Sequence, residues 1–254
     1  MQKDPTFEET SLPLFANSTD IESEHLSGPR LPSYIKDHRT RLRTRFTEGG
    51  AHAMPDYELL ELLLFRSIPR RDVKPLARLL LNTFGDFNRV ITASPERLSS
   101  VKGIGEAVIT DLKILEAAAH RMARAKVMHR PLLSSWDALL DYCHIVMGHR
   151  ETEQFRVLYL DRKNTLIADE EQANGTVDHV PVYPREIAKR ALEIGASALI
   201  LVHNHPSGDP TPSASDIEMT DRVARALRAL DIVLHDHLII GKSSELSFRS
   251  AGYL

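Results

Sequence analysis

Five consecutive apolar residues, Ala198-Leu199-Ile200-Leu201-Val202, run without a break into His203-Asn204-His205-Pro206-Ser207-Gly208. A short apolar run of this kind reads as a buried strand. Side chains alternate along a strand, so His203 and His205 project from one face. Ser213-Ala214-Ser215-Asp216 follows, with Ser213 placed to cap a helix whose first turn carries Asp216. Two imidazole nitrogens and a carboxylate oxygen suit zinc, and three protein ligands leave a fourth position for a water that the metal activates. Singly, each feature has a plain structural reading: a polar residue ending a strand, or an ordinary capping pair. At these offsets the combination is more specific than its parts. The letters His-Asn-His are not by themselves an HNH nuclease site, whose residues are dispersed over a larger motif.

The rest of the chain limits what surrounds this stretch. With 254 residues it has room for one large domain or two modest ones, and a net charge of −3 supplies no global basic field for nucleic acid. The single cysteine, Cys143, rules out an intramolecular disulfide and a cysteine-based zinc site, and fits a reducing cytoplasm. No apolar run is long enough to span a membrane. Residues 1–30 mix acidic residues, Ser, Thr and Pro with few periodic apolar positions and read as a disordered tail. The arginines of Lys36–Arg45 read as a solvated helix face, with phosphate attraction as the alternative.

Residues 31–125 read as a small all-α domain. Pro55-Asp56 starts a helix with Tyr57, Leu60, Leu63 and Leu64 on one stripe. Leu76, Leu79, Leu80 and Phe84 mark the next helix, which ends at Gly85. Ser94-Pro95-Glu96 starts another. Leu98 to Ala107 then resembles a helix-hairpin-helix motif. There Gly103 and Gly105 would let the backbone approach a DNA phosphate, with Lys102 supplying charge. The alternative is a tight turn that simply needs glycine, and Glu106 is unfavourable beside a phosphate.

Residues 126–133 read as a basic linker. Residues 134–254 read as an α/β domain, a mixed sheet covered by helices. Ser134 or Ser135 caps a helix through Met147. Phe155–Leu160 and Thr165–Ala168 are strands about a turn, and Gly175-Thr176-Val177 begins another. Pro184-Arg185-Glu186 opens a helix that ends at Gly195. Asp231–Ile240 and Leu246–Phe248 are the last strands. His235 and His237 share a strand face with Asp236 on the other. They read as residues supporting the site or lying at the surface, and a second metal site is the alternative. His144, His149 and His179 read as structural.

His203-x-His205-Pro206 followed by Ser213-x-x-Asp216 resembles the JAMM (MPN-type) metalloprotease motif. The wider text resembles the RadC family over about residues 35–254: His203 to Gly208, Pro212-Ser213 and Asp216, with Tyr183 to Ile187 upstream and Asp236-His237 downstream. The JAMM resemblance implies a fold related to the zinc deaminases (cytidine-deaminase-like), although the deaminases' paired cysteines are absent. It also implies Zn2+ on His203, His205 and Asp216, and hydrolysis of a peptide or isopeptide amide. A glutamate opening an earlier strand would be the general base, and Glu153 matches it by position, ahead of Glu186 and Glu151. Ser213 would hydrogen-bond the developing oxyanion. The RadC resemblance adds a historical link to DNA repair. The competing function is a DNA-binding or DNA-processing protein, a metal-dependent nuclease or a repair accessory factor, that docks through the helical domain. A binding module with a purely structural zinc fits less well, since structural zinc usually has four protein ligands.

Overall fold

A computed structural model describes residues 33–132, 135–174 and 182–254. The tail at 1–30, Ser134, His179 and the strand start at Gly175-Thr176-Val177 lie outside these described residues. The helical part comprises α1 (Ser33–Gly49), α2 (Asp56–Ser67), α3 (Lys74–Phe84), α4 (Phe87–Thr92), α5 (Pro95–Ser99) and α6 (Glu106–Val127). It closes over one core that includes Leu42, Leu60, Leu64, Leu80, Phe84, Val90, Leu98 and Leu112. In α3 the buried stripe is Leu76, Ala77, Leu80 and Phe84, while Leu79 turns to solvent. The basic face expected on α1 is also not uniformly solvated. Arg39 is buried, donates to the carbonyls of Ile68 (2.6 Å) and Arg71 (2.7 Å), and lies over the Phe65 ring. Its charge therefore serves to hold the loop after α2.

Helix α6 belongs to both halves. Val108 and Leu112 pack in the helical core, whereas Ala123 and Val127 pack in the core of the sheet domain. The stretch read as a linker is accordingly packed where it is described. The His129 amide donates to the Leu166 carbonyl, Leu132 is buried, and its amide donates to Asn164.

The second half begins with α7 (Trp136–Met147) and continues through β1 (Gln154–Leu160), β2 (Leu166–Asn174), α8 (Pro184–Glu193), β3 (Ala198–Asn204), α9 (Ala214–Arg228), β4 (Val233–Ile240), β5 (Glu245–Ser247) and α10 (Phe248–Ala251). Among the described residues these strands form one sheet in the order β2-β1-β3-β4-β5. Only β3 and β4 pair in parallel, with α9 between them in the chain; the other pairs are antiparallel. This is the expected mixed α/β sheet covered by helices. Phe248, read as strand, instead starts α10 after Ser247 caps it.

Central strand β3 is buried at every residue, as its unbroken apolar text requires. Ala198, Ile200 and Val202 face α7 in one core, while Leu199 and Leu201 face α8 and α9 in the other. His203 continues the second set, which aims it at the start of α9.

Candidate metal centre

Strand alternation and a helix cap assemble the site. His203 is the last residue but one of the buried strand, and His205 follows the strand's end. A turn closed by the Gly208 amide on the His205 carbonyl (2.9 Å) redirects the chain. Gly208 has φ 91°, and a Cβ there would meet the Lys242 side chain at 2.8 Å, so the loop closes on the β4–β5 turn only without a side chain. Ser213 then caps α9 in a reciprocal capping box with Asp216. The Ser213 amide and hydroxyl both donate to Asp216 Oδ2, at 2.8 and 2.6 Å. Oδ1 is turned to His203 Nε2 at 3.5 Å.

Among the described residues, His203, His205 and Asp216 bring one potential ligand atom each to within 4.8 Å of one another. The two Nε2 atoms are 3.0 Å apart, and His205 Nε2 is 3.6 Å from Asp216 Oδ2. Donors at about 2.0–2.1 Å from a tetrahedral zinc stand about 3.3–3.5 Å from each other. The two imidazoles stand slightly closer than that, and each faces a different oxygen of the Asp216 carboxylate at a comparable distance.

Proton positions make a stronger case. The Thr220 hydroxyl lies 2.6 Å from the Asp216 carbonyl, which only accepts, so its one proton goes there. The same oxygen is 2.6 Å from His237 Nδ1, which must therefore donate to it. Burial, with the neighbouring His203 reinforcing it, pushes the pKa of His237 well down, so the ring is neutral and its Nε2 is bare. That bare nitrogen accepts from His203 Nδ1 at 2.7 Å. Burial also pushes His203 down to about 4, so its Nε2 is bare as well. His205 Nδ1 donates to the Asp209 carbonyl at 2.8 Å, which turns its Nε2 inward. Three electron-pair donors thus converge on one point, where a single proton or a metal cation holds them together. Where a proton takes the place, it sits on His205, whose pKa is raised first by its hydrogen bond to Asp216. Burial works against ionising Asp216, but His205, His203 and the Ser213 hydrogen bonds outweigh it and keep the carboxyl well below the usual range.

Sequence reasoning placed His237 on the same face as His235. The strand carries a bulge that separates them. Leu234 pairs with Leu199 and Asp236 with Ile200, leaving His235 as the extra residue. His235 hydrogen-bonds Asn164 (2.7 Å) beside Trp136, while His237 stays with His203 between Phe155 and Phe248. The pair therefore makes no second metal site. Thr220, which fixes the tautomers, carried no sequence signal beyond lying four residues after Asp216. Second partners of metal-binding histidines typically contribute 10–100-fold in affinity. His237→Ala should accordingly weaken zinc binding by about that factor, measured by competition with a chromophoric chelator.

The candidate bases separate clearly. Glu153 directly precedes β1, on the face shared by Phe155 and Val157, and is close enough to His205 to add to the rise in its pKa. Glu151 pairs with Arg97 and lines a cleft of about 550 Å3 between the two halves. Glu186 pairs with Arg185 on the exposed first turn of α8. Ser213 is exposed and its hydroxyl serves Asp216 in this arrangement. Lys102, Gly103 and Gly105 lie far along the chain, in the turn between α5 and α6. Gly103 has φ 100°, and Gly105 caps α6 with no side-chain hydrogen bond. Arg70 and Arg71, which the sequence did not single out, line the same groove.

Comparison with known proteins agrees with this architecture. A family model described as the RadC-like JAB domain matches residues 133–253, and one described as UPF0758 N-terminal matches residues 36–110. A UPF0758 protein of Ruegeria pomeroyi is 80% identical over 224 residues, covering 88% of this chain and 100% of the relative. A UPF0758 protein of Rhodobacter capsulatus is 71% identical over 213 residues, covering 84% of this chain and 100% of the relative. The chain belongs to the UPF0758 family, its second half being a RadC-like JAB domain.

Proposed function

We propose that this protein is a zinc-dependent hydrolase acting on an amide bond of the peptide or isopeptide type. The observation that carries the reading is the convergence of His203 Nε2, His205 Nε2 and the Asp216 carboxylate on one point, with Glu153 nearby. His203, His205 and Asp216 would hold the metal. When bound, zinc supplies Lewis acidity to a water and to the substrate carbonyl. Glu153 takes the proton from the attacking water and returns it to the leaving amine. Ser213 can turn its hydroxyl toward the oxygen that gains charge, because its amide continues to hold Asp216 Oδ2. The buried rings of Phe155 and Phe248 keep the His203–His237 pair dry, which preserves their neutral form.

Elemental analysis of the untagged protein tests the reading directly. About one zinc per chain is expected. A chain that stays metal-free after reconstitution would sink it.

A second reading, DNA contact by the helical half, is supported by the side-by-side placement of Arg70, Arg71 and the Gly103–Gly105 turn. It is compatible with the first, because the two surfaces use different residues. Phosphate contacts release counterions, so affinity for duplex DNA should fall with a log–log salt slope of about −0.9 per phosphate neutralised. Arg71→Ala should flatten that slope by about one contact. An unchanged slope would remove Arg71 from the interface. No helix among the described residues is long and apolar enough to cross a membrane.

A further inference from the structure

We infer that Asn204, the residue between the two histidines, is the positioning residue for Glu153; the inference rests on the hydrolase reading above. Strand β1 pairs with β3 only as far as Phe155, opposite His203. Beyond that point the two strands part, although β3 continues for one more residue along β4. The Asn204 side chain takes over where the backbone ladder stops. Its Oδ1 accepts from the Gln154 amide at 2.8 Å, and its Nδ2 donates to the Thr152 carbonyl at 3.1 Å. Those two groups belong to the peptide units on either side of Glu153. One planar amide therefore grips the backbone before and after the candidate base.

The chemistry of the contact selects the residue type. One acceptor and one donor are needed at the spacing of a carboxamide, which aspartate, serine and the aliphatic residues do not offer together. Asn204 is itself buried and sits on the most enclosed strand of the sheet. It points away from its neighbours His203 and His205, because alternate residues take opposite faces. A single tripeptide thus presents two ligands to the site and, from its other side, fixes the stretch that carries the base. Glu153 directly precedes Gln154, where the ladder with β2 ends, and Asn204 adds from the β3 side a grip on both peptide units that flank it. Misplacement by about 1 Å is enough to cost a reacting group about a hundredfold.

Cobalt(II), loaded into the full-length chain after chelation, reads this without a substrate. The pH midpoint of its visible spectrum would be followed in wild type, Glu153→Gln, Asn204→Ala, Asn204→Ser and the Glu153→Gln/Asn204→Ala double variant. Removing the Glu153 charge should move the midpoint by about one pH unit. Each Asn204 variant should bind cobalt and move the midpoint in the same direction, and the double variant should move it no further than Glu153→Gln alone. Asn204 variants with a wild-type midpoint, or shifts that add in the double variant, would overturn the assignment while leaving the hydrolase reading intact. Absence of cobalt binding in wild type, or a midpoint indifferent to Glu153→Gln, would bring down the hydrolase reading and this assignment with it. Should the Asn204 variants not fold, amide exchange in wild type decides. The Gln154 amide should exchange as slowly as the core amides of β1, and exchange at a loop's rate would overturn the grip.

Discussion

Asp216→Ala should strip the metal while the fold survives. Zinc content is expected to drop from about one per chain to less than about a tenth, measured on dialysed protein. The loss follows from the electrostatics of the site. Both imidazoles are neutral donors, and Asp216 supplies the only negative charge among the three ligands, at 3.5 and 3.6 Å from their Nε2 atoms. The same residue completes the capping box on α9, so its removal also costs about 1 kcal/mol of helix stability. Asp216→Asn separates the two effects, since it keeps the shape and most of the cap but not the charge. Equal loss of zinc in both variants would assign the effect to charge. Retention of zinc by Asp216→Asn would mean that shape alone holds the site. Acid should act on the wild type in the same direction. A proton and a metal compete for His205 Nε2, and only the deprotonated ring binds metal. Apparent affinity should therefore be level above the raised pKa of His205 and fall about tenfold per pH unit below it. His203 is not the first group to compete, because burial holds it down to about 4.

The second large effect concerns Glu153. Glu153→Gln should keep its zinc and lose about 10²–10⁴-fold in turnover of an amide substrate found by screening. The amide side chain preserves size and neutral hydrogen bonding but cannot accept the proton of water. The two rivals provide the contrast. Glu151→Gln releases Arg97 at the mouth of the cleft between the halves, and Glu186→Gln releases Arg185 on an exposed helical turn. Both are surface ion pairs of small energetic weight, and turnover should change by less than about threefold in either. A Glu153→Gln enzyme at full rate would remove the base from this position, whereas a large loss in Glu186→Gln would move it to α8.

Much of the site was legible because it is local. His203 and His205 follow from strand alternation after an apolar run, and Asp216 from a capping box that Ser213 announces. His203 lies near the end of β3, His205 just after it and Asp216 in the first turn of α9, so all three fall within fourteen consecutive residues. The helical half was legible in outline for the same reason, since glycine and proline punctuation marks its turns. The misreadings have physical causes too. Arg39 resembles every other arginine on α1 until the carbonyls of Ile68 and Arg71 fold back onto it. The linker reading failed to anticipate that α6 continues to Val127 and buries its end against the sheet. Composition marks a stretch as basic, but not which of its few apolar residues finds a core.

Local rules of strand alternation, apolar periodicity and helix capping were thus enough to single out His203, His205 and Asp216 as candidate ligands and to anticipate a helical first part followed by a mixed sheet. The tertiary structure alone decided what supports the triad. His237 reaches His203 because β4 lies parallel beside β3 and a bulge at His235 shifts its faces by one residue. Thr220 then sets the tautomers, and Asn204 reaches across to the peptides around Glu153. Each of these contacts joins segments that are distant in sequence. Register between distant strands is fixed by the packing of the whole sheet, and a single bulge reverses which side chains share a face. No window of sequence contains that information.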